Sequence, residues 1–539
     1  MIENPNHEIT ESRSHPILRP PARRALYRDP DGLFVHDVVL RTCHHFGEKL
    51  AIVDASKVPS QRITYAQYGD LVERLAAGLS SRFEPGEVIG IFLFNSWEFA
   101  VAYHAATLAG CIPTLLNPSY REREVHYQLG DSGAAAVVTD GTLIKDSSLS
   151  GLPKLRNVFT IRQAALGAED FAQMLRGPGL QARRAQDDDP HHTLAALPYC
   201  SGTTGLPKGV MLSHSNLVTN VYQFLSPGEE STYTQDDVAL CCLPLYHIYG
   251  LNVVLNPVFA AGATLVLMPR FDQERLCSLI REEGATFMPL VPPLVNCLSQ
   301  AAEQGQFPHE HHIRYAKSGA APLAPELARR FTELTGIRLR QGYGMTEASP
   351  VTHLGYIERE LYRPDSIGQA VALTDCRLEG GESANAGELV MRGPQMMLGY
   401  WNAPEATASV LRDGWYWSGD IATVDADGFY HIVDRVKEMI KYKGFPIAPA
   451  EVEAVLLEHP MVRDCGLVGK RDADVGELPC AFVVLRDSHT GNPRLADELC
   501  NYVGERLTRY KQPREIRFVQ AIPRNPSGKI LRRKLRDEV

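Results

Sequence analysis

The sequence predicts an α/β enzyme. We expect a large N-terminal domain of stacked α/β subdomains with a small β unit, and a small, mobile α+β C-terminal domain. The length of 539 residues is too great for a single hydrophobic core. Short apolar strands, such as residues 51–53 and 88–92, alternate with helical patterns, which is typical of parallel sheets. The composition, 44% hydrophobic and 22% charged, is that of an ordinary globular protein.

Composition also excludes several classes of protein. The formal net charge of −9 offers no basic surface for nucleic acid. The eleven cysteines include no C-x2-C pair, which indicates reduced thiols in a cytoplasmic enzyme and no disulfide frame or zinc site. Residues 251–268 are the longest apolar stretch, but asparagine, proline and glycine interrupt them. We therefore expect a buried helix and strand there and no transmembrane segment. The sequence is compatible with both a monomer and a homodimer.

The first elements follow from local patterns. Residues 1–33 are polar and contain several prolines and arginines, which predicts a surface arm without a signal segment. The large domain is expected over residues 34–434. Within it, residues 97–108 have helical spacing, and residues 134–139 and 158–161 are predicted strands.

Residues 199–210 have the composition of a loop that binds phosphate. Glycines let backbone N–H groups approach an anion, hydroxyls add donors, and one lysine adds positive charge. The spacing of a Walker A loop is absent, and a flexible linker is the alternative by composition alone. We expect a strand, this loop and a helix opening near His214, in that order. The loop residues concerned are Ser201, Gly202, Thr203, Thr204, Gly205 and Lys208.

Three more segments of the large domain carry candidate functional residues. His247 stands between aromatic residues in the segment 243–250, where a packed core histidine is the alternative. Residues 319–322 and 341–347 are predicted to be small-residue turns at strand ends. Such turns open the crevice where α/β proteins usually bind ligands.

The pattern changes in the last third of the chain. Turn signals recur roughly every ten residues over residues 364–434, which predicts a small antiparallel β unit. A basic segment follows, and a new α/β pattern over residues 438–539 predicts a second domain. Its last loop presents Lys529 on a turn stiffened by proline and glycine, for which a solvated surface lysine is the alternative.

Together these segments resemble the acyl-adenylate-forming superfamily, which includes acyl- and aryl-CoA ligases, luciferases and the adenylation domains of peptide synthetases. The motifs that carry the resemblance, in the family's order, are the loop at 199–210, Tyr-Gly-Met-Thr-Glu at 343–347, Ser-Gly-Asp at 418–420, Asp-Arg at 434–435 and Gly-Lys at 528–529. Within the superfamily, the segments 246–249 and 441–445 look most like those of 4-coumarate–CoA ligases. The resemblance covers nearly all of the chain from residue 34 onward.

The resemblance implies an AMP-forming carboxylic acid–CoA ligase that uses ATP, Mg²⁺ and coenzyme A. A carboxylate must attack the α-phosphorus of ATP, so neutralising charge is the main catalytic task. By resemblance, Lys208 and the loop hydroxyls hold the β- and γ-phosphates, Thr346 bonds the α-phosphate, and Glu347 holds Mg²⁺. The residues implied to bind ATP or AMP are Ser201, Gly202, Thr203, Thr204, Gly205, Lys208, Gly319, Ala320, Ala321, Gln341, Gly342, Tyr343, Gly344, Thr346, Asp420 and Arg435.

The resemblance also implies that the two half-reactions use different arrangements. Lys529 would bridge the carboxylate and the α-phosphate in the first. The small domain would then rotate about a hinge at residues 435–437, where Arg435 and Lys437 lie. In the second arrangement the path of the CoA thiol would be lined by Lys441, Lys443 and Gly444. The implied catalytic residues are Lys529, His247, Lys441, Lys443, Thr346 and Glu347. Pro446 stands where the family usually has glutamine, so a hydrogen bond from that side chain to the nucleotide is not carried over.

The acyl pocket implied by the resemblance is mostly apolar, with aromatic walls. No aspartate follows Leu245, where amino-acid-activating relatives pair with the substrate ammonium, so an aryl, cinnamate-like or medium-chain fatty acid is favoured. Loading of a carrier protein in place of free CoA is the alternative, and a light-emitting oxygenase has only the scaffold in its favour. The implied pocket residues are His247, Tyr249, Val253, Met288, Val291, Lys317, Gly319, Gly342, Pro350 and Val351.

Overall fold

The computed structural model has the predicted mixed α/β architecture and describes residues 28–144, 149–162, 167–177, 188–200, 206–226, 233–381, 385–435, 437–443, 445–472, 475–486, 491–524 and 528–539. The α-helices there are α1 (Val35–Phe46), α2 (Tyr65–Ser80), α3 (Trp97–Leu108), α4 (Glu122–Ser132), α5 (Phe171–Met174), α6 (His214–Phe224), α7 (Asn256–Ala261), α8 (Gln273–Glu282), α9 (Pro292–Glu303), α10 (Pro325–Thr335), α11 (Pro404–Val410), α12 (Pro449–Glu458), α13 (Pro493–Arg506) and α14 (Arg532–Arg536). A π-helical turn spans Gly250–Leu255, and 3₁₀ turns span Thr346–Ala348 and Arg509–Lys511.

The strands form five sheets. Strands of the first half are β1 (Leu50–Asp54), β2 (Gln61–Thr64), β3 (Val88–Phe92), β4 (Ile112–Leu115), β5 (Ala136–Thr139), β6 (Asn157–Thr160), β7 (Glu169–Asp170), β8 (Leu194–Ala196), β9 (Tyr199–Cys200), β10 (Lys208–Ser213), β11 (Val238–Cys241) and β12 (Thr264–Leu267). Those of the second half are β13 (Phe287–Leu290), β14 (Tyr315–Ser318), β15 (Arg338–Gly344), β16 (Val351–Leu354), β17 (Gln369–Ala370), β18 (Asp375–Glu379), β19 (Ala386–Arg392), β20 (Gly399–Tyr400), β21 (Leu411–Arg412), β22 (Trp415–Val424), β23 (Tyr430–Arg435), β24 (Ile440–Tyr442), β25 (Phe445–Ile447), β26 (Val462–Asp472), β27 (Gly476–Leu485) and β28 (Glu515–Phe518).

Two largely parallel sheets form the centre of the large domain. The nine-stranded sheet has the order β17-β16-β15-β14-β13-β11-β12-β1-β2, and only its end strands β2, β16 and β17 pair antiparallel. The five-stranded sheet, β4-β3-β5-β6-β7, is parallel throughout. Parallel strands place their carboxyl ends at one edge of a sheet, which is where α/β proteins form ligand crevices.

Helix α3 lies inside the core shared by these two sheets. Every residue from 98 to 108 is buried, as expected for a helix that is apolar on all sides. The surrounding core contains Ile52 of β1 and Ile91 of β3, one residue from each sheet. The helix begins after Ser96, whose Oγ accepts the N–H of Phe99 at 3.3 Å. Its span equals the predicted range 97–108.

The predicted order of strand, loop and helix around residues 199–210 is wrong. Strands β9 and β10 pair antiparallel with Cys200 opposite Lys208, so the loop closes a β-hairpin. The six-residue strand β10 then separates the loop from helix α6. The physical reason is that β10 pairs with β8, β9 and β20, which extends the backbone through the apolar residues 210–212. Helix α6 begins where expected, capped by the Oγ of Ser213.

Residues 341–344 also differ from the prediction, because they belong to β15 and form no turn. That strand pairs with β14 on one side and β16 on the other, so both of its edges are used. Gly344 is required there, since a Cβ would lie 2.0 Å from the carbonyl oxygen of Pro350. The turn is limited to the 3₁₀ segment Thr346–Ala348, whereas residues 319–322 follow β14 as a loop, as predicted.

The apolar stretch 251–268 is a buried helix followed by a strand, as predicted. Its first part is the π-helical turn, which continues into α7 and then β12. Over the described residues, every helix is too short or too polar to cross a membrane.

The last third of the chain forms two further sheets. Strands β18, β19, β21, β22 and β23 make the predicted antiparallel unit. Strands β24 to β28 make the sheet of the C-terminal domain, and α12 and α13 pack on it to form a separate core around Leu456, Leu467 and Leu499. The N–H of Ala450 donates to the Oδ2 of Asp434 at 2.8 Å, which ties helix α12 to strand β23 near the predicted hinge.

Candidate active site

A cavity of about 870 Å³ lies where the nine-stranded sheet, the antiparallel unit and the C-terminal domain meet. The residues predicted from the sequence that line it are Lys208, His247, Tyr249, Val253, Lys317, Gly319, Ala320, Gly342, Tyr343, Gly344, Thr346, Glu347, Pro350, Val351, Arg435, Lys437 and Lys529. They come from segments up to 321 positions apart, the separation of Lys208 from Lys529, so the fold assembles the site from both domains.

Some of the predicted residues lie outside the described part of the chain. These are Ser201, Gly202, Thr203, Thr204, Gly205 and Gly444. The flanks of the loop are described: Lys208 lies in β10, with its Nζ 5.5 Å from the ring centroid of Tyr400. Lys208 and Tyr400 both line the cavity, so the described residues after the loop belong to the cavity wall.

Met288 does not line the cavity. Its neighbour Phe287 belongs to the core on the cavity side of the sheet, with Tyr249 and Val253. Because side chains alternate along a strand, Met288 points to the opposite face, where it is fully buried with Leu240 and other apolar residues. The prediction that Met288 frames the acyl pocket is therefore corrected.

Other predicted residues lie near the cavity without lining it. Gln341 turns its side chain away and donates from Nε2 to the carbonyl oxygen of Pro364 at 2.7 Å. Val291 precedes α9 and lies beside the loop of Lys529, 3.8 Å from the position of a Cβ on Gly528. Ala321 follows the lining residue Ala320 without reaching the cavity itself. Lys441 and Lys443 are exposed on the C-terminal domain, outside the cavity.

Asp420 lies behind the cavity wall and fixes two lining residues. It is 3% exposed and pairs across strands with Arg435, whose Nε is 2.9 Å from its Oδ1. The hydroxyl of Tyr343 donates to Oδ2 at 2.5 Å. Burial and the Asp420 charge raise the pKa of Tyr343 well above its ordinary value, so this tyrosine remains a donor. A carboxylate has about four acceptor positions, and these two contacts use one on each oxygen.

Glu347 is a carboxylate of the cavity that contacts Cys200, the last residue of β9. It is 9% exposed, and its Oε1 accepts the hydroxyl of Tyr400 at 2.7 Å and the thiol of Cys200 at 3.5 Å. The described residues contain no cluster of three or more metal-ligating acidic, histidine or cysteine side chains. A magnesium ion held by one carboxylate and substrate phosphates needs no such cluster, so Glu347 fits that ion.

Lys529 enters the cavity from the C-terminal domain. The residue before it is held by Arg524, whose guanidinium donates to the carbonyl oxygen of Gly528 at 2.8 Å and pairs with Asp464 at 2.7 Å. Burial, with the positive charge of Arg435, lowers the pKa of Lys529 from 10.5 to about 8. Lys529 is half-buried and lines the cavity, which excludes the alternative that it is a solvated surface lysine.

His247 also lines the cavity and is not a packed core histidine. The N–H of Tyr249 donates to its Nδ1 at 3.2 Å, so the neutral ring carries its proton on Nε2. Burial lowers the pKa of His247 to about 4, which keeps the imidazole neutral near pH 7. It can therefore offer one hydrogen bond from Nε2 without adding charge.

Lys317 is the one buried lysine in the apolar part of the cavity lining. It is 3% exposed, and its Nζ lies 4.6 Å from the ring centroid of Phe224 and 5.4 Å from that of Tyr249. Burial, with the charge of Arg340, lowers its pKa well below the ordinary value. No ion pair to Lys317 occurs among the described residues. The wall thus presents an amine inside an aromatic cage.

Sequence reasoning missed several lining residues. Asn117, Tyr120 and Glu124 follow β4, and the Asn-Pro pair at 117–118, after the short apolar run 112–116, was a usable signal for the crevice. Arg412 and Trp417 form a stacked pair, 4.9 Å from guanidinium carbon to ring centroid, on the antiparallel unit. No local pattern marks those two, because the strands of that unit carry aromatic and basic residues on both faces.

The chain matches known families and proteins over almost all of its length. Residues 39–401 match the AMP-binding enzyme family and residues 451–529 match the AMP-binding enzyme C-terminal domain. The chain is 38% identical over 522 residues to 4-coumarate-CoA ligase 1 of Narcissus pseudonarcissus, with 94% of each chain covered. It is 39% identical over 525 residues to 4-coumarate–CoA ligase 5 of Oryza sativa subsp. japonica, with 94% of this chain and 95% of that one covered.

A similar solved structure is that of ATP-bound MatB from Rhodopseudomonas palustris. It aligns with a TM-score of 0.83 at 28% identity and covers 94% of this chain and 99% of that one. The two-domain fold with one cavity between the domains therefore defines a class, the adenylate-forming ligases.

The chain belongs to the AMP-binding enzyme family, which confirms the resemblance drawn from the motifs. It is an AMP-forming acid–CoA ligase, which adenylates a carboxylic acid with ATP and then forms a thioester with CoA.

Proposed function

We propose that this ligase activates a hydrophobic acid, of aryl, cinnamate-like or medium-chain fatty type, and that the cavity described above is its active site. One observation carries the proposal. A single continuous cavity is lined by Lys208, Thr346 and Glu347, by Lys529, and by the apolar wall that includes Tyr249 and Val253. Groups that suit phosphates and a wall that suits an apolar acid therefore share one cavity, with a lysine to serve the reacting carboxylate.

The first half-reaction brings two anions together. Lys208 and the hairpin loop hold the β- and γ-phosphates, and Thr346 bonds the α-phosphate. Glu347 is the carboxylate for Mg²⁺, which supplies charge neutralisation on the phosphates when it is bound. Lys529 approaches the carboxylate and the α-phosphate, where its charge offsets their repulsion and the charge of the pentavalent transition state. Neutral His247 donates from Nε2 to an acid oxygen and orients it.

The remaining nucleotide contacts follow from the cavity wall. The adenine lies between the loop of Gly319 and Ala320 and the ring of Tyr343. The ribose diol lies against Tyr343 and Arg435 and donates to the carboxylate of Asp420, which both of these residues contact.

The pKa of Lys529 predicts how adenylation depends on pH. Its ammonium loses the proton as pH rises through about 8, so kcat/KM for pyrophosphate release is expected to fall above that pH, by up to tenfold per unit. Lys529→Arg keeps its charge throughout and should abolish this alkaline fall while lowering the rate. Pyrophosphate release measured from pH 6.5 to 9.5 checks it, and an equal fall in both proteins would contradict the assignment.

The second half-reaction requires the CoA thiol to reach the acyl carbonyl that Lys529 faces. Here Lys529 lines the cavity, whereas Lys441 and Lys443 are exposed outside it. We therefore propose rotation of residues 438–539 against residues 34–434 about the hinge at 435–437, with 364–434 as the β subdomain that stays behind. Lys441, Lys443 and Gly444 would then line the path of the thiol. Position 446 pairs with Lys441 in the β24–β25 hairpin, beside that path.

The acyl end of the cavity favours an acid with an aromatic body and a hydroxyl at its far end. Burial lowers the pKa of this amine and so favours its uncharged form, which can exchange a hydrogen bond with a phenol. The aromatic cage of Phe224 and Tyr249 suits a ring beside that amine. The relatives named above as 4-coumarate–CoA ligases support 4-coumaric acid as the first acid to test.

Replacement of Lys317 is expected to change which acid is preferred. Lys317→Met keeps the apolar stem and removes the amine, so kcat/KM for 4-coumaric acid should fall roughly 10- to 100-fold, the range of one buried hydrogen bond. Cinnamic acid, which lacks the hydroxyl, should be affected less than about threefold. The matched control is Lys57→Met at an exposed lysine. An equal loss for both acids would contradict this role for Lys317.

The cysteines support a cytoplasmic setting for the enzyme. All eleven cysteines are free thiols, and most are buried, which suits the reducing cytoplasm. We place the protein there, as a monomer or homodimer with a small carboxylic acid as its partner molecule.

The function is tested by pyrophosphate release from ATP and Mg²⁺ across cinnamic, benzoic and C6 to C16 fatty acids, with and without CoA. We expect release with at least one aromatic or medium-chain acid, and thioester formation with CoA alone. Release without any thioester until a carrier protein is added would favour the alternative acceptor. No release with any of these acids would reject the proposed substrate class.

A further inference from the structure

The loop that carries Thr346 and Glu347 is a compact turn closed by its own backbone. The N–H of Met345 donates to the carbonyl oxygen of Pro350 at 3.0 Å, and the 3₁₀ turn lies between them. Ser349 ends that turn in the left-handed region, with φ of 68°, although it is not a glycine and is fully buried. A buried residue holds this conformation only where its surroundings fix it.

The side chain of Asn252 is one of the groups that fix it. Asn252 is fully buried, and its Nδ2 donates to the carbonyl oxygen of Ser349 at 2.6 Å and to that of Leu217 at 3.1 Å. Asn252 thus joins helix α6 to the end of the turn that carries Thr346 and Glu347.

A chain of buried side chains orients Asn252 from behind. Its Oδ1 accepts from the Nδ2 of Asn256 at 2.7 Å, and the Oδ1 of Asn256 is 3.0 Å from Nε2 of His104. The Nδ1 of His104 is 2.7 Å from the hydroxyl of Tyr68. Burial lowers the pKa of His104 to about 4, so the ring is neutral and donates from Nε2 while Nδ1 accepts. Each N–H of the Asn252 amide has its own acceptor, and its oxygen accepts from Asn256, so a flipped amide would lose these bonds.

The same turn of the chain builds the apolar wall of the cavity. Asn252 lies in the π-helical turn, between the lining residues Tyr249 and Val253. That turn packs closely on the preceding segment, because a Cβ on Gly250 would lie 2.2 Å from the carbonyl oxygen of Pro244. π-helical turns often occur at functional sites, where they re-aim neighbouring side chains.

We propose that Asn252 is a positioning residue that couples the apolar wall of the cavity, with Tyr249 and Val253, to the turn that carries Thr346 and Glu347. An acid that packs on Tyr249 and Val253 restricts the motion of the π-helical turn. Because Asn252 is bonded to Ser349, the turn that carries Thr346 is then restricted as well. Bound acid thereby tightens nucleotide binding, and by reciprocity bound nucleotide tightens acid binding. This inference rests on the proposed roles of the acyl wall and Thr346.

The test is the affinity for AMP with and without 4-coumaric acid, measured by calorimetry, because this pair cannot react without pyrophosphate. In the wild-type protein we expect saturating acid to tighten AMP binding about tenfold, within the usual range of coupling between sites. Asn252→Ala should reduce that factor to below about threefold, while the affinity for AMP alone changes by less than about threefold. Asn252→Ser leaves a smaller void and is measured in the same way should the alanine variant not fold.

Gln369→Ala is the matched control. Gln369 is also a buried amide, on β17, but its Nε2 donates to the carbonyl oxygen of Asp427 at 2.8 Å, and neither residue lines the cavity. It should lose thermal stability and keep the wild-type coupling factor. A coupling factor that is unchanged in the Asn252 variant, or that equals one in the wild-type protein, would overturn the inference. If the wild-type protein still releases pyrophosphate, either result leaves the proposed function standing.

Discussion

Lys529→Ala is expected to slow adenylation by about 10²- to 10³-fold, the effect of removing one donor aimed at transition-state charge. The side chain reaches the cavity from the C-terminal domain, and Arg435 and Asp420 are the charged groups that most affect its pKa there. Thioester formation from a supplied acyl-AMP should stay within about threefold of wild type, because the carboxylate is already activated at that stage. Pyrophosphate release and thiolysis of synthetic acyl-AMP measure the two steps separately.

The control for this variant is Lys534→Ala. Lys534 is exposed on α14, five residues further along the chain, and should leave both steps unchanged. An equal loss of both steps in Lys529→Ala would show that Lys529 serves the site as a whole and not the first step alone.

Lys443→Glu is expected to have the opposite defect. Lys443 is exposed at the end of β24, with φ of 52°, and its N–H donates to the carbonyl oxygen of Val475 at 2.7 Å. A negative charge there would oppose the phosphates of CoA on the path of the thiol, so thioester formation should fall about 10- to 100-fold, the range of one charge-assisted contact. Adenylation should change little, because this side chain lies outside the cavity in the arrangement that contains Lys529.

Lys534→Glu controls for charge reversal on the same domain. It should affect thioester formation less than about threefold, as expected for a surface charge remote from the path. A comparable loss in both charge-reversal variants would attribute the effect to the general field of the domain and not to Lys443.

The sequence allowed the elements with strong local signals to be predicted. Helix α3 spans the predicted residues, because its uniform apolar pattern and the serine cap act within the segment itself. The antiparallel unit was predicted from its regular turns for the same reason. The family motifs could also be read from the sequence, because each is a short run of neighbouring residues. Lys208, Thr346, Glu347 and Lys529 from these motifs line the cavity.

Features that depend on distant strands could not be predicted. The hairpin of β9 and β10 exists because β8 and β20 also pair with β10, and neither pairing has a local signature. Met288 was assigned to the wrong face, since one position along a strand reverses the direction of a side chain. Gln341 was assigned to a turn, but it lies in β15, which pairs with β14 on one side and β16 on the other. The residues of β15 do not reveal these two pairings.

Buried polar residues were the other gap. In the sequence, Asn252 served only as a polar interruption that argued against a membrane span. In the structure, it donates hydrogen bonds to carbonyl groups 35 and 97 positions away. A single sequence cannot show such partners, although an amide in an apolar run should prompt the question of what satisfies it.

The central claim is that one cavity serves two half-reactions with different lysines. It is tested most directly by the ratio of the rate constants for adenylation and for thioester formation, measured on the same preparations of wild type, Lys529→Ala and Lys443→Glu. The ratio should fall about 100-fold or more in the first variant and rise about tenfold or more in the second. A ratio that is the same in all three proteins would contradict the claim.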